Sequence, residues 1–132
     1  MIERLKRLQR CKELADDVKK VLEEESAPFV HDQSFIKELH SIYKEMCKPE
    51  TSTTRRAFVF VVLYLYNPSV FVGLKRIGSG FRRNLAKVMQ CHPTVISHDY
   101  NSAYFLYEHY RSFRDIANEI YTRFIDYIEK RR

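Results

Sequence analysis

The chain is poor in the residues that interrupt regular structure. Its 132 residues include only three glycines and four prolines, and tryptophan is absent. So few breaks favour long helices over short strands joined by tight turns. The nine tyrosines and nine phenylalanines should supply much of the core as large packed rings. The length suits one domain, so we expect a single unit over residues 1–132.

Cysteine is also scarce, and its placement excludes several common roles. Cys11, Cys47 and Cys91 are far apart and odd in number, so we expect no disulfide framework and a reducing compartment. Cys91-His92 with His98 nearby is not a metal-ligand spacing, and no cofactor or metal is expected. Phosphate-binding loops, nucleophile elbows and paired-carboxylate motifs are missing too. The sequence therefore does not predict an enzyme.

Long apolar runs are missing as well. The longest, residues 57–66, is about half of what a membrane span requires. The N-terminus is charged from Glu3 onward, which is unlike a secretory signal. We therefore expect no contact with a membrane and a cytoplasmic location.

Acidic residues are absent from the middle of the chain. The protein carries a net charge of +6, yet neither Asp nor Glu occurs between Glu50 and Asp99. Such a concentration of one sign suggests a polyanion partner, although a solvated basic face without a partner explains it equally well. The basic residues of this span are Arg55, Arg56, Lys75, Arg76, Arg82, Arg83 and Lys87.

The spacing of apolar residues predicts an all-α domain of five to seven helices. Repeats of three and four residues predict helices over 2–25, 35–46 and 113–132. Residues 57–66 have high β propensity, but nothing else in the chain supplies a convincing partner strand. A helix that is buried on all sides is therefore the better interpretation of this run.

The breaks between helices are predicted from caps and loop residues. Asp32 or Ser34 is expected to cap the second helix, and Ser112 the last one. A short helix is expected over 70–76, followed by a loop at 78–80.

Residues 82–101 meet the demands of a helix-turn-helix, in which the second helix enters the DNA major groove. Ala86 is the small residue that lets the second helix cross closely, and Gln90-Cys91 forms the turn. Pro93 suits the first turn of the second helix, which leaves His92 at or near its N-cap. The apolar residues expected to face the core are Leu85, Val88, Met89, Val95 and Ile96.

The remaining polar residues divide into two classes of predicted DNA contact. Residues of the second helix should face base edges, and basic residues of the supporting helix should face phosphates. The base-facing set is His92, Thr94, Ser97, His98 and Asn101. The phosphate-facing set on the supporting helix is Arg82, Arg83 and Lys87.

The stretch "LAKVMQCHPTVISH" resembles helix-turn-helix units of bacterial regulators. More narrowly, it is similar to the DNA-binding domain of the bacterial replication initiator family DnaA. Leu85-Ala86 match that family's isoleucine-glycine pair, Met89 its phenylalanine, and residues 92–95 its His-Thr-Thr-Val signature. The upstream "RRAFVFVVLYLY" is similar to the family's Arg-led apolar helix. The resemblance implies binding to double-stranded DNA, with Arg55 or Arg56 as a minor-groove arginine. Both arginines complete the predicted phosphate-facing set.

Two functions from different classes follow. The first is a non-catalytic, sequence-specific double-stranded DNA binder, either a regulator or an origin-type binder, dimerising through its N-terminal or last helix. The second is a helical adaptor for another protein, without a nucleic-acid role. Its binding face would be formed by tyrosines, which partial burial against the last helix would equally explain. These are Tyr100, Tyr104, Tyr107 and Tyr110.

Overall fold

The computed structural model describes residues 1–73 and 76–131, and this part of the chain forms six α-helices and no strand. The predicted all-α class and the predicted number of helices are confirmed. None of the described helices is both long and apolar enough to cross a membrane. The helices are α1 (Ile2–Glu25), α2 (Ile36–Met46), α3 (Ser52–Tyr66), α4 (Ser79–Met89), α5 (Pro93–His109) and α6 (Arg111–Arg131).

The centre of the fold is α3. Seven consecutive residues, 57–63, are buried, and two helical turns buried in sequence leave no face of the helix open to water. α5 and α6 pack along α3, while α2 contacts α3, α4 and α6. The ring of Phe58 stacks on Tyr43 of α2 at 4.7 Å and meets the edge of Phe124 of α6 at 5.9 Å. The prediction that residues 57–66 form a buried helix, and not a strand, is confirmed.

Side-chain caps lie just ahead of the second helix and at the start of the third. Asp32 accepts a hydrogen bond from the Ser34 amide at 2.9 Å and caps a 3-10 turn, Gln33–Phe35, that leads into α2. Of the two predicted caps, Asp32 acts on this turn, whereas α2 itself begins after Phe35 without a side-chain cap. At α3 the Thr51 hydroxyl accepts from the Thr54 amide, and the Thr54 hydroxyl accepts from the Thr51 amide. This reciprocal pair satisfies backbone donors that a helix start leaves without partners.

Two predicted breaks between α3 and α4 are corrected. The short helix expected over 70–76 is a 3-10 turn at Pro68–Val72, which ends because Gly73 adopts a left-handed φ of 72°. Residues 74–75 of that prediction lie outside the described residues. The loop expected at 78–80 is wrong, because residues 79–80 already form the first turn of α4 after the extended residue Gly78. First-turn amides need no intrahelical partner, so small residues are tolerated there.

The predicted cap of the last helix is also wrong. α6 begins at Arg111, so Ser112 lies inside its first turn. The break falls at Tyr110, whose extended backbone separates α5 from α6 by one residue. The predicted helix over 113–132 is confirmed as far as Arg131, and its repeat of three and four residues faces the core with five buried residues, which are Phe113, Ala117, Ile120, Phe124 and Ile128.

The first helix differs from the other five because it contributes nothing to the core. α1 has the predicted extent, yet all 24 of its residues are exposed. It touches the rest of the domain near its C-terminal end, beside the 3-10 turn Pro68–Val72.

Candidate nucleic-acid interface

The end of α4 is built for a sharp reversal of the chain. Gln90 adopts a left-handed conformation with φ 57° and ψ 47°. Its amide donates to the Lys87 carbonyl at 3.2 Å, and the Cys91 amide donates to the Ala86 carbonyl at 3.0 Å. These two bonds occupy carbonyls that the helix end would otherwise leave without donors. The predicted turn at Gln90-Cys91 is confirmed.

The start of α5 follows immediately. His92 is the N-cap, with an extended backbone, and Pro93 is the first helical residue, as predicted. His92 Nδ1 accepts from the Thr94 amide at 3.2 Å and lies 2.8 Å from the Thr94 hydroxyl oxygen. Because Nδ1 acts as an acceptor, the neutral ring carries its proton on Nε2. Nε2 makes no hydrogen bond within the described part of the chain, so it is available to an external acceptor.

Cys91 lies in the turn between the two helices and is half-buried. Burial is the main cause that raises the pKa of its thiol, and the nearby carboxylate of Asp99 raises it further. At neutral pH the thiol form is therefore favoured over the thiolate. No group of three or more His, Cys, Asp or Glu side chains in the described ranges is arranged to hold a metal ion.

The two faces of α5 are sharply different. Ile96, Asp99 and Ala103 follow one another at spacings of three and four residues and are buried. The opposite face is exposed, and it carries three of the five predicted base-facing residues together with the large ring of Phe105. The exposed residues of this face are Thr94, His98, Asn101 and Phe105.

Ser97 and Arg82 lie where the two helices meet. The Arg82 guanidinium donates from Nη1 to the Ser97 hydroxyl at 3.2 Å, and both side chains are half-buried. Arg82 Nε is buried without a hydrogen-bond partner in the described structure. Arg83 and Lys87, the other two basic residues of α4, are exposed one turn apart. Arg82 therefore braces α4 against α5, while Arg83 and Lys87 point to solvent.

A buried ion pair joins α3 to α5. Arg55 donates to both carboxylate oxygens of Asp99, from Nε at 2.6 Å and from Nη2 at 3.0 Å. The Asp99 side chain is 0% exposed, and that of Arg55 is 35% exposed. The hydrogen bond to Asp99 is the main cause that raises the pKa of Arg55. Arg56 Nε lies 3.9 Å from the same carboxylate, so Asp99 faces two cations.

The role of Asp99 escaped the sequence reasoning. Its partner Arg55 lies 44 positions away, and no local pattern links the two. One signal was present, because Asp99 shares the inward spacing of Ile96 and Ala103, where an acid requires a buried partner. It is also the first acid after the acid-free span, whose basic residues are candidate partners.

A shallow depression of about 370 Å³ extends the exposed face of α5 towards α3. Arg56 from α3 lines it together with His98 and Asn101 from α5. The Arg56 side chain is 28% exposed, and its Nε is buried without a hydrogen-bond partner among the described residues. Two predicted base-facing residues and one predicted phosphate-facing residue are thus brought to one surface.

Two tyrosines of α5, Tyr104 and Tyr107, border a second, larger groove of about 580 Å³. Tyr107 stacks on Phe60 of α3 at 4.6 Å, and Tyr100 and Tyr104 pack against Phe71 of the 3-10 turn. The rings are therefore covered mainly by α3 and this turn. Tyr104, at 38% exposed, and Tyr107 line the groove, to which α1 contributes Leu22.

No known protein family, curated protein or solved structure matches this chain.

Proposed function

We propose that the protein binds double-stranded DNA without catalysis, with the exposed face of α5 in the major groove. The observation that carries the proposal is a short polar face on α5, formed by Thr94, His98 and Asn101, beside a helix that exposes Arg83 and Lys87. Hydroxyl, imidazole and amide groups suit base edges, while cations suit phosphates that repeat along the duplex. In keeping with the resemblance to replication initiators, the protein acts as a regulator or origin-type binder.

The contacts within the fold refine the role of each basic residue. Arg55 is held by the buried carboxylate of Asp99, so in our proposal it positions α5 and does not contact a phosphate. Arg82 likewise braces Ser97 at the helix junction. The phosphate contacts then fall to Arg83, Lys87 and the partly exposed Arg56, and His92 offers Nε2 as a donor at the N-terminus of α5.

Salt dependence is the first test of this proposal. Each phosphate contact should contribute about −0.9 to the slope of log affinity against log salt for duplex DNA. We expect binding of random-sequence duplex to weaken steeply between low and physiological salt. A flat response, or the absence of binding at low salt, contradicts the proposal.

Single variants separate the two classes of contact. Asn101→Ala should lower preference for a selected site by about 1–3 kcal/mol and leave binding to random DNA largely intact. Arg83→Ala should weaken all sequences alike and reduce the salt slope by about one unit. Arg123→Ala, an exposed arginine on α6, is the matched control and should change neither property. Identical behaviour of Asn101→Ala and Arg83→Ala would contradict groove reading by α5.

A second candidate function is that of an adaptor, and the aromatic groove favours it. Its lining of Phe60, Tyr64, Phe71, Tyr104 and Tyr107 suits an apolar side chain of another protein. In that case Tyr104→Ala abolishes capture of a protein partner, while Arg83→Ala and Asn101→Ala have no effect. DNA binding at low salt, with an affinity that falls steeply as salt rises, would instead favour the DNA-binding function.

A further inference from the structure

α1 carries an apolar stripe that nothing in the described structure covers. Leu5, Leu8, Leu14 and Val18 are 57%, 56%, 65% and 59% exposed. The helix is 24 residues long, which corresponds to about 36 Å. A contiguous apolar stripe of this length on an exposed helix is typical of a surface that contacts another chain.

Leu8 and Val18 of this stripe belong to a seven-residue repeat of the coiled-coil type, and Leu5 and Leu14 flank that repeat. Leu8 and Ala15 are spaced seven residues apart, and Cys11 and Val18 occupy the intermediate positions three residues later. Leu22 continues the repeat at the end of α1, where it also lines the aromatic groove of its own chain. A seam of this kind packs against one facing helix, because side chains repeating every 3.5 residues stay on the same side along a supercoil. The spacing therefore favours a single helix as the occupant.

The charges of α1 identify which helix fits. Residues 3–12 carry five basic residues and one acidic residue, a net charge of +4. Residues 13–25 carry six acidic and two basic residues, a net charge of −4. A second copy in antiparallel orientation places each basic half beside an acidic half, whereas a parallel copy places like charges together.

The helix dipole points to the same conclusion. Acidic residues are favourable near a helix N-terminus and basic residues near its C-terminus. In α1 the order is largely reversed, since residues 3–12 are mostly basic and the last turn carries Glu23, Glu24 and Glu25 with no basic residue. The arrangement is unfavourable within the isolated helix, and an antiparallel copy compensates for it at both ends.

We infer that two copies of this chain associate through α1 as an antiparallel two-helix coiled coil. In the register that aligns the two seams, Leu8 of one copy lies opposite Val18 of the other, and Cys11 opposite Ala15. The interface has a two-fold axis at Glu13, so each contact occurs twice. This pairing does not depend on DNA binding, and its test contains no DNA.

Sedimentation analysis of the 132-residue chain over a concentration series tests the inference. The wild-type protein should form dimers, and Val18→Asp, which places a charge in the seam, should be monomeric. Retention of the dimer by Val18→Asp overturns the inference, because association then uses another surface. A wild-type protein that stays monomeric throughout the series also overturns the inference. This holds equally if α1 of that monomer binds neutral lipid vesicles.

Charge reversal tests the orientation. Reversing the basic half with Lys6→Glu, Arg7→Glu and Arg10→Glu, none of which lies in the seam, makes both halves acidic. We expect it to raise the dimer dissociation constant about a hundredfold, because attraction becomes repulsion at both ends. Combining it with Glu23→Lys, Glu24→Lys and Glu25→Lys should restore the dimer. In a parallel pair, reversal of one half leaves like charges together, so an unchanged dissociation constant overturns the antiparallel orientation.

The design separates loss of pairing from loss of folding. Acidic residues near the start of α1 suit the helix dipole, so the reversed helix remains favourable in isolation, which circular dichroism checks. The matched control applies the same change in charge to α6, with Arg111→Glu, Arg114→Glu and Arg123→Glu at exposed positions. It should leave the dissociation constant within about twofold of the wild-type value. An equal loss of dimer in this control overturns the inference.

Discussion

α1 and α3 are both helices, yet their sequences and surroundings are opposites. α1 is rich in lysine, arginine, glutamate and leucine, which favour helices intrinsically, and none of its residues is buried. α3 is rich in valine, phenylalanine and tyrosine, which favour strands, and most of it lies in the core. Helix α3 therefore exists because of tertiary packing, whereas α1 exists through its own length and composition.

The difference also separates two roles. α3 determines where the candidate DNA-contacting surface lies, because its first turns hold Arg55 against Asp99 of α5 and bring Arg56 to the same surface. α1 lies apart from that surface and presents a seam for a second chain. Damage to α3 should therefore affect folding and the site together, whereas damage to α1 should affect association alone.

The largest expected effect comes from removing a ring of α3. Phe58→Ala deletes contacts with Tyr43 and Phe124 and leaves a cavity, so we expect a loss of about 3–5 kcal/mol in the free energy of unfolding. Denaturant unfolding monitored by circular dichroism measures it. The control is Leu5→Ala on α1, which should stay within about 0.5 kcal/mol at concentrations where α1 is unpaired. Equal losses would show that α1 is part of the core.

An intermediate effect is expected from Asp99→Asn. The change removes the charge that faces Arg55 and Arg56 and leaves two cations near a buried amide. Breaking a fully buried pair is more costly, but Arg55 is about one-third exposed, so we expect a loss of about 1–3 kcal/mol. The same unfolding measurement applies. Asp126→Asn breaks an exposed pair with Lys130 on α6 and should cost less than about 0.5 kcal/mol.

Much of the fold could be predicted because its signals are local. The 3–4 spacing of α6, the cap at Asp32 and the proline after His92 each depend on neighbouring residues. The helix at 57–66 needed one further argument, that a lone strand leaves its backbone unpaired. The predicted loop at 78–80 failed because Ser79 and Gly80 are permitted in a helical first turn as well as in loops.

The candidate site was predictable only in outline. The turn and the exposed positions Thr94, His98 and Asn101 follow from helix periodicity. Arg55 and Arg82 could not be assigned in this way, because their partners lie 44 and 15 residues away on other helices. The exposure of α1 could not be predicted either, because an amphipathic pattern predicts an apolar contact and does not say whether that contact is within the chain.

The smallest expected effect concerns how α3 begins. Thr51→Ala removes a hydroxyl that accepts from the Thr54 amide at 3.2 Å, so we expect a loss of about 1 kcal/mol in unfolding free energy. Hydrogen exchange should quicken at the Thr54 amide, which loses its acceptor, and at Arg55, whose amide donates to the Thr51 carbonyl. α1 lacks a side-chain cap at Met1, so its first turn provides the comparison for an uncapped start.

Ser52→Ala is the matched control for this change. Its hydroxyl makes no hydrogen bond in the described structure, so unfolding and exchange at Thr54 should stay close to wild type. If Thr51→Ala and Ser52→Ala are indistinguishable, the cap does not hold the start of α3.

Local fraying in Thr51→Ala also loosens Arg55, so this variant should shift the side-chain resonances of Asp99 while the core around Phe58 stays unchanged. A cap that matters only locally would leave Asp99 unmoved, and the start of α3 would then be as independent of the site as the start of α1.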